Sequence, residues 1–139
     1  MAVVTAALEL HTRGDADIHD ITAEVVDLLR QSGLQNGILT VFTPSSTSAI
    51  TTIEYESGCL SDLRRLFDEI IPPAREYAHN TRWDDGNGHA HVRAALLGAS
   101  FSVPFVNGAP LLGTWQQIIF VDFDNRPRHR RVVVQMVGE

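Results

Sequence analysis

The spacing of hydrophobic positions in the first third of the chain is first typical of a strand and then typical of a helix. Met1–His11 is rich in aliphatic residues with little polarity and predicts a strand. From Asp20 to Ser32 the apolar residues recur at i, i+4, i+7 and i+8, which predicts a helix with one buried face. These apolar residues are Ile21, Val25, Leu28 and Leu29. Asp20 is expected to cap this helix and Gly33 to end it.

The remaining segments predict two more helices and five more strands. Gly58–Ile71 is apolar along one side and predicts a helix that Pro72-Pro73 stops. Ala74–Gly88 is a long polar connection, and a third helix is expected over residues 88–97. Asn107-Gly108 is a hairpin signal. The expected strands are Ile38–Thr43, Ala49–Tyr55, Ala99–Val106, Leu111–Phe123 and Arg130–Val137.

The order of these elements is β-α-β-β-α-α-β-β-β, which begins with a strand and ends in an antiparallel meander. That order indicates the α+β class rather than a doubly wound α/β sheet. A chain of 139 residues is expected to form a single domain spanning 1–139. At this length about two-thirds of the surface of the unfolded chain can be buried, which is enough for a core.

Composition narrows the classes of function. The formal net charge of −6 argues against general binding of nucleic acid. All 11 basic residues are arginines, so chemistry that needs a lysine is excluded, and arginine is the only permanent cation for an anionic ligand. No apolar run is long enough for a membrane helix, and no signal peptide is evident. With Cys59 as the only cysteine, a reducing, cytoplasmic location is expected.

The stretch Asp84–Gly98 combines acids, glycines and histidines and leads into the third expected helix. Asn87 is placed to cap that helix, and Gly98 is placed to end it as a left-handed glycine. His89 and His91 then lie at the first turn, where free N–H groups and the helix dipole favour anions. Asn87 and the histidines could therefore contact a phosphate. The alternative is a surface loop with two solvated histidines.

Three histidines, His79, His89 and His91, fall within 13 residues. Zinc binds three or four nitrogen, sulfur or oxygen ligands, so this cluster predicts a possible metal site. Glu54 could complete the set as a ligand or act as a general base. The metal expected is divalent, zinc or magnesium, with His79 and His91 as its ligands.

Hydroxyl and guanidinium groups offer further contacts for phosphate. Ser45, Ser46 and Thr47 lie in a loop after a strand and could bond to phosphate oxygens, although such a loop can equally bond its own backbone. Arg128 and Arg130 belong to a basic cluster that could clamp an anion or simply solubilise a strand end. Trp115 is expected in the core.

Short motifs occur along nearly the whole chain, and Leu-Gly-Thr-Trp-Gln at 112–116 and Tyr-x-His at 77–79 are the most specific. The others include Asp20-Ile21-Thr22, Val41-Phe42-Thr43-Pro44, Ala49-Ile50-Thr51, Asn87–His91 and Arg128-x-Arg130. In these motifs the chain resembles the YjbQ family, whose members are also labelled secondary thiamine-phosphate synthases. The resemblance implies a small antiparallel β-sandwich with helices packed on it, assembled as a homotrimer with its site near subunit contacts.

The resemblance also implies site residues and a reaction. The histidines of the family correspond to His79 and His91 and its glutamate to Glu54, whereas His89 falls where the family varies. Family members usually carry a histidine at the position of Ser45, so this chain departs from the pattern there. The implied reaction joins an aminopyrimidine diphosphate to a thiazole phosphate and releases diphosphate.

Two alternatives to this reaction stay open at the sequence level. One is a metal-binding hydrolase. The other is a non-catalytic trimer that binds a ligand or serves as a scaffold, its site having lost a histidine at Ser45. The expected partners are a small phosphorylated molecule and further copies of the chain, with no nucleic acid and no membrane.

Overall fold

Two antiparallel sheets form the framework of the protein in a computed structural model that describes residues 1–139. The strands are β1 (Ala2–Thr12), β2 (Asp17–Asp20), β3 (Gly37–Phe42), β4 (Ser48–Ile53), β5 (Ser100–Val106), β6 (Ala109–Pro110), β7 (Gln117–Asp122) and β8 (Arg128–Gly138). The larger sheet has the strand order β1-β8-β3-β5-β6, and the smaller one has the order β2-β7-β4. The helices are α1 (Thr22–Ser32), α2 (Ser57–Ile70), α3 (Ala78–Trp83) and α4 (Gly88–Leu97).

The middle strand of the smaller sheet, β7, is buried on both faces. Ile118 and Phe120 belong to a first hydrophobic core, which contains α1 residues and the inner face of the larger sheet. Ile119 and Val121 belong to a second core, which α2 and α4 cover. Because successive side chains of a strand point to opposite faces, one strand serves both cores. The α+β class and the packing of helices on antiparallel sheets are therefore confirmed.

The expected helices are present, with small shifts at their ends. α1 begins at Thr22, two residues after the predicted start. The N-cap position is therefore Ile21 and not Asp20 as predicted, although Oδ1 of Asp20 accepts from the backbone N–H of Thr22. Gly33 ends α1 in the left-handed conformation, as expected. α2 begins at Ser57 because the carboxylate of Glu56 accepts from two backbone N–H groups of its first turn.

The helix expected over residues 88–97 is confirmed, but its caps differ from the prediction. The Asn87 side chain makes no capping bond and instead contacts the turn after β7. Gly98 has φ 99° and ψ 158°, which is not the left-handed helical conformation. Only glycine adopts this region readily, so Gly98 turns the chain directly from α4 towards β5.

The sequence-based prediction was wrong or incomplete at four points. The strand predicted over Leu111–Phe123 begins only at Gln117, and Trp115, expected in the core, is 70% exposed. The connection Ala74–Gly88 contains the short helix α3. The strand β2 was not foreseen, because its polar sequence carries no strand signal, yet it pairs with β7. None of the four helices is long and apolar enough to cross a membrane.

Candidate metal centre and polar cleft

The candidate site lies where three segments meet at one end of the smaller sheet. These are the hydroxyl loop (Pro44–Ser48), the turn 123–127 between β7 and β8, and the start of α4. Ser48 pairs with Asp122 at the ends of β4 and β7, which sets the loop beside the turn. Backbone and side-chain bonds then join the segments: the N–H of Phe123 donates to the Thr47 carbonyl, and that of Asn125 donates to the Asn87 amide oxygen.

The imidazoles of His79 and His91 lie next to each other, with ring centroids 4.4 Å apart. Nδ1 of His79 is 3.2 Å from Oδ1 of Asp85 and is buried without a hydrogen bond of good geometry. One ligand atom from each of the three side chains lies within 4.8 Å of the other two. Two imidazoles and a carboxylate are a donor set that zinc and similar metals bind, so these residues can hold a divalent metal ion.

Packing between α3 and α4 brings the two histidines together. The side chain of Asn80 accepts from the backbone N–H of Gly88 at 2.8 Å, tying α3 to the start of α4. A Cβ at Gly88 would lie 2.5 Å from the Cβ of Tyr77, so only glycine permits this approach. Asp85 lies in the short link between the helices, and its Oδ1 also accepts from the backbone N–H of Asn87.

Two buried carboxylates, Asp122 and Asp124, hold the arginines of the site. Nε of Arg130 is 2.8 Å from Asp122 Oδ2, and one of its Nη atoms donates to both Asp122 and Thr47. Arg128 lies 3.0 Å from Asp124. Each guanidinium expected to clamp an anion therefore already has a carboxylate partner inside the protein.

Burial by itself raises the pKa of Asp124, but this effect is outweighed. Hydrogen bonds from Arg128, Asn87 and Thr47 stabilise the charged form, and together with the positive charge of Arg128 they hold the pKa below its ordinary value. Asp124 is therefore an ionised hydrogen-bond acceptor beneath the site, and the side-chain amide of Asn87 donates to it.

A polar cleft of about 380 Å³ opens above these groups. The hydroxyl loop forms one wall, and the opposite side is formed by Asp85, His91 and the two arginines. The structure thus places the predicted residues Ser45, Ser46, Thr47, Asn87, Arg128 and Arg130 around one cleft. The hydroxyl of Ser45 also accepts from the backbone N–H of Thr47.

A second, largely apolar pocket of about 410 Å³ shares Ser45, Ser46 and His91 with the polar cleft. Small residues line it, mainly Ala94, Ala95, Gly98 and Ala99. A ligand in the cleft can therefore extend an apolar part along this side of α4.

Glu54 does not lie with His79 and His91 in the folded chain. It follows the far end of β4, and six residues of strand extend about 20 Å at about 3.3 Å each. Glu54 instead lies beside Glu56 and Cys59 on the surface. The carboxylate next to the histidine pair is that of Asp85. Within one chain, the prediction that Glu54 joins His79 and His91 is therefore wrong.

His89 is also separate from the other two histidines. It is 3% exposed and lines a different cavity on the opposite side of the start of α4. Burial, followed by the nearby charge of Arg93, lowers the pKa of His89. Residues two apart on a helix point in different directions, which is why His89 and His91 diverge.

Sequence reasoning missed Asp85, Asp122 and Asp124 as members of the site. A signal for Asp85 was present, since it lies six residues from each of the two histidines in the same loop region. Asp122 and Asp124 carried no such signal, because they look like ordinary residues at a strand end.

The sequence model of the family described as "UPF0047 protein YjbQ-like" matches residues 6–139. The chain belongs to the YjbQ family. A UPF0047 protein from Methanothermobacter thermautotrophicus is 44% identical over 139 residues, covering 100% of this chain and 95% of the relative. The UPF0047 protein YugU of Bacillus subtilis is 36% identical, over 94% of this chain and 97% of its own.

Solved structures of YjbQ-family proteins have the same fold. A YbjQ-like protein of unknown function from Sulfolobus solfataricus aligns with a TM-score of 0.94 at 34% identity, covering 99% of both chains. A YjbQ/UPF0047-family protein from Clostridium acetobutylicum aligns with a TM-score of 0.87 at 34% identity, over 95% of this chain and 99% of its own. The family is thus one of unknown function, and membership assigns no reaction.

Proposed function

We propose that the protein is a metal-dependent enzyme that acts on a small phosphorylated molecule, with His79, Asp85 and His91 as the metal ligands. The observation that carries this proposal is the His79–Asp85–His91 cluster at the edge of the polar cleft, with Nδ1 of His79 buried and lacking a hydrogen bond. Buried polar atoms are ordinarily paired, so such an atom beside two other donors points to a ligand. Histidine ligands favour zinc or a similar transition metal over magnesium.

The charge balance of the cleft links the metal to the substrate. Arg128 and Arg130 are neutralised by Asp124 and Asp122, which leaves Asp85 as an uncompensated negative charge. The cleft therefore does not attract a phosphate strongly by itself. A bound divalent cation would make the local charge positive, and it would act as a Lewis acid towards the phosphate oxygens.

The side chains of the cleft have distinct roles in this proposal. One Nη of Arg128 pairs with Asp124 and its Nε is buried, so its other Nη is the donor available to substrate oxygens. Nε and one Nη of Arg130 are bound to Asp122 and Thr47, so this arginine positions those two side chains. Ser45 and Ser46 present hydroxyl groups to the substrate from the loop.

The reaction implied by the family resemblance fits this chemistry. In it the bond between the aminopyrimidine carbon and the diphosphate oxygen breaks, the thiazole nitrogen bonds to that carbon, and diphosphate leaves. Arg128 stabilises the charge that develops on the leaving group. The apolar pocket beside His91 can receive a flat ring.

Hydrolysis of a phosphate ester is the second candidate. The donor set favours it, because two histidines and one carboxylate leave a coordination position free, as in zinc hydrolases. The two reactions differ in the acceptor, which is a thiazole phosphate in one case and water in the other.

The proposed assembly is the homotrimer implied by the resemblance. It is supported by an apolar row across the outer face of the larger sheet, where Val3, Val137, Ile38 and Pro104 lie in register on four adjacent strands. Ile38 is 55% exposed, so the row is uncovered in a single chain.

Metal content is the first test of the proposal. Purified, untagged protein is expected to hold about one zinc-like ion per chain, and His91→Ala should lose most of it because one of three ligands is removed. His129→Ala is the matched control, since His129 lies on the surface beside Glu9. Elemental analysis makes the measurement, and equal metal content in both variants contradicts the site.

Product analysis then separates the reactions. Diphosphate formed only when a thiazole phosphate is added indicates the transferase, whereas phosphate or diphosphate formed without an acceptor indicates the hydrolase. If metal-loaded protein forms neither product, the result indicates the non-catalytic alternative. Loss of product formation in His91→Ala, with His129→Ala unchanged, is expected for either enzyme.

A further inference from the structure

A small cavity behind the start of α4 contains a buried arginine that the proposed function does not use. Its volume is about 110 Å³, and Arg64, Arg93, His89, Asp15 and Asp68 contribute its polar groups. The polar cleft lies on the other side of α4 and shares none of these residues. We call this space the arginine cavity.

Arg93 forms the floor of the arginine cavity, and its side chain is only 4% exposed. Its Nε donates to the Ile71 carbonyl at 3.0 Å, and one Nη donates to Asp68 at 3.2 Å. The guanidinium also lies over the rings of Phe67 and Phe123, which fixes its position. The other Nη makes no hydrogen bond and is not sealed from solvent, so it is a free donor where Arg93 borders the cavity.

Two further polar side chains reach the same space. His89 is almost wholly buried, and its Nδ1 is enclosed near the Gly86 backbone without a hydrogen bond of good geometry. Its Nε2 makes no hydrogen bond within the protein and reaches the cavity, where it donates in the tautomer that carries the proton on Nε2. Arg64 at the rim uses Nε to bind the Ala16 carbonyl, which leaves its terminal nitrogens free.

Two carboxylates complete the cavity and restrict what it can bind. Asp68 is already paired with Arg93, whereas the carboxylate of Asp15 has no hydrogen bond or ion pair and acts only as an acceptor. A bare dianion such as sulfate meets repulsion from Asp15. An oxyanion that keeps a proton can donate it to Asp15 while its other oxygens accept from the arginines.

The geometry points to a binding site for inorganic phosphate, held by Arg93, Arg64 and His89 and selected over sulfate by Asp15. Hydrogen phosphate carries a proton at neutral pH and sulfate does not. A volume of about 110 Å³ matches three or four water molecules at about 30 Å³ each, which suits an ion of five heavy atoms. The site is independent of the metal-dependent reaction proposed above.

Calorimetric titration of the full-length protein with inorganic phosphate and with sulfate, at equal ionic strength, tests the site. Wild type is expected to bind phosphate and to bind sulfate more weakly. Arg64→Gln should weaken phosphate binding by roughly tenfold, because a charge-assisted hydrogen bond is lost. Arg65→Gln is the matched control, since Arg65 is the next residue but pairs with Asp62 on the exposed side. Equal affinities of these two variants overturn the site.

Asp15→Asn tests the selectivity without touching the buried floor. An amide can donate to an oxyanion, so this variant should bind sulfate more tightly and lose the preference for phosphate. An unchanged preference overturns the role of Asp15.

Backbone amide NMR shifts separate this site from the polar cleft. Phosphate is expected to shift amides near Asp15 and Arg93, and to do so also in His91→Ala. Shifts confined to the hydroxyl loop and Asp85 overturn the arginine cavity while supporting the proposed function. Shifts near Asp15 in a protein that holds no metal and forms no product support the cavity and count against the enzyme.

Discussion

Asp124 shows how a single residue determines the shape of the polar cleft. It is buried beneath the hydroxyl loop and accepts from Thr47 and Asn87, while Arg128 pairs with it. These three partners come from three separate segments of the chain. The charged carboxylate of Asp124 therefore holds these three segments together beneath the cleft.

Replacing Asp124 with Asn is expected to lower the free energy of unfolding by about 3 kcal/mol at neutral pH, because it leaves a guanidinium without its buried partner. Asp62→Asn is the control, since the exposed pair with Arg65 contributes at most about 1 kcal/mol. Urea unfolding measures both. A loss for Asp124→Asn no larger than that of the control contradicts this role.

The same residue predicts how stability depends on pH. The pKa of Asp124 in the folded state lies below its ordinary value of 3.8, so the unfolded chain binds protons more readily. Its stabilisation is therefore complete above about pH 5 and is lost as the pH falls through and below 3.8. Urea unfolding between neutral and acid pH should show a steeper loss for wild type than for Asp124→Asn, and parallel curves contradict the assignment.

At the scale of elements, helices with a clear apolar stripe could be predicted from the sequence. The stripe of α1 identified its buried residues Val25 and Leu29, and Gly33 marked its end. Asn107-Gly108 identified the turn between β5 and β6, where both residues have positive φ. These signals are local, so they do not depend on what the element packs against.

Elements whose stability comes from distant partners could not be predicted in this way. β2 is polar in sequence and exists because it pairs with buried β7. Residues 111–116 are apolar enough for a strand, but Leu111 and Trp115 are exposed and no strand pairs with that segment. The site shows the same limit: the histidine pair followed from spacing and resemblance, whereas Asp85 joined it through the packing of α3 on α4.

Gly98→Ala tests the connection between α4 and β5. The glycine has φ 99°, and a Cβ added there would have no neighbouring atom within 4 Å, so the cost is backbone strain alone, about 2 kcal/mol. Gly113→Ala is the control, because Gly113 lacks a positive φ and its Cβ would make only ordinary contacts. Thermal unfolding measures the change in melting temperature for both variants. Equal changes would contradict a need for the positive φ of Gly98 in the connection between α4 and β5.

At the scale of the whole molecule, the exposed apolar row of the larger sheet predicts self-association. Ile38→Asp places a charge in the middle of that row and should shift the protein from trimer to monomer at micromolar concentration. Leu66→Asp is the matched control, since Leu66 is 47% exposed on α2, away from the sheet. Light scattering gives the mass, and a monomeric wild type contradicts the proposed assembly.

The burial of β7 on both faces has a consequence for how the protein opens. Because Ile118–Val121 contributes to both hydrophobic cores, neither core can be exposed while the other keeps its native packing. Hydrogen exchange is therefore expected to be slowest at the amides of β7, at rates set by global unfolding, and both cores should lose protection together. A chain built around one shared strand melts as a single cooperative unit, and faster exchange in β7 than in β3 contradicts this.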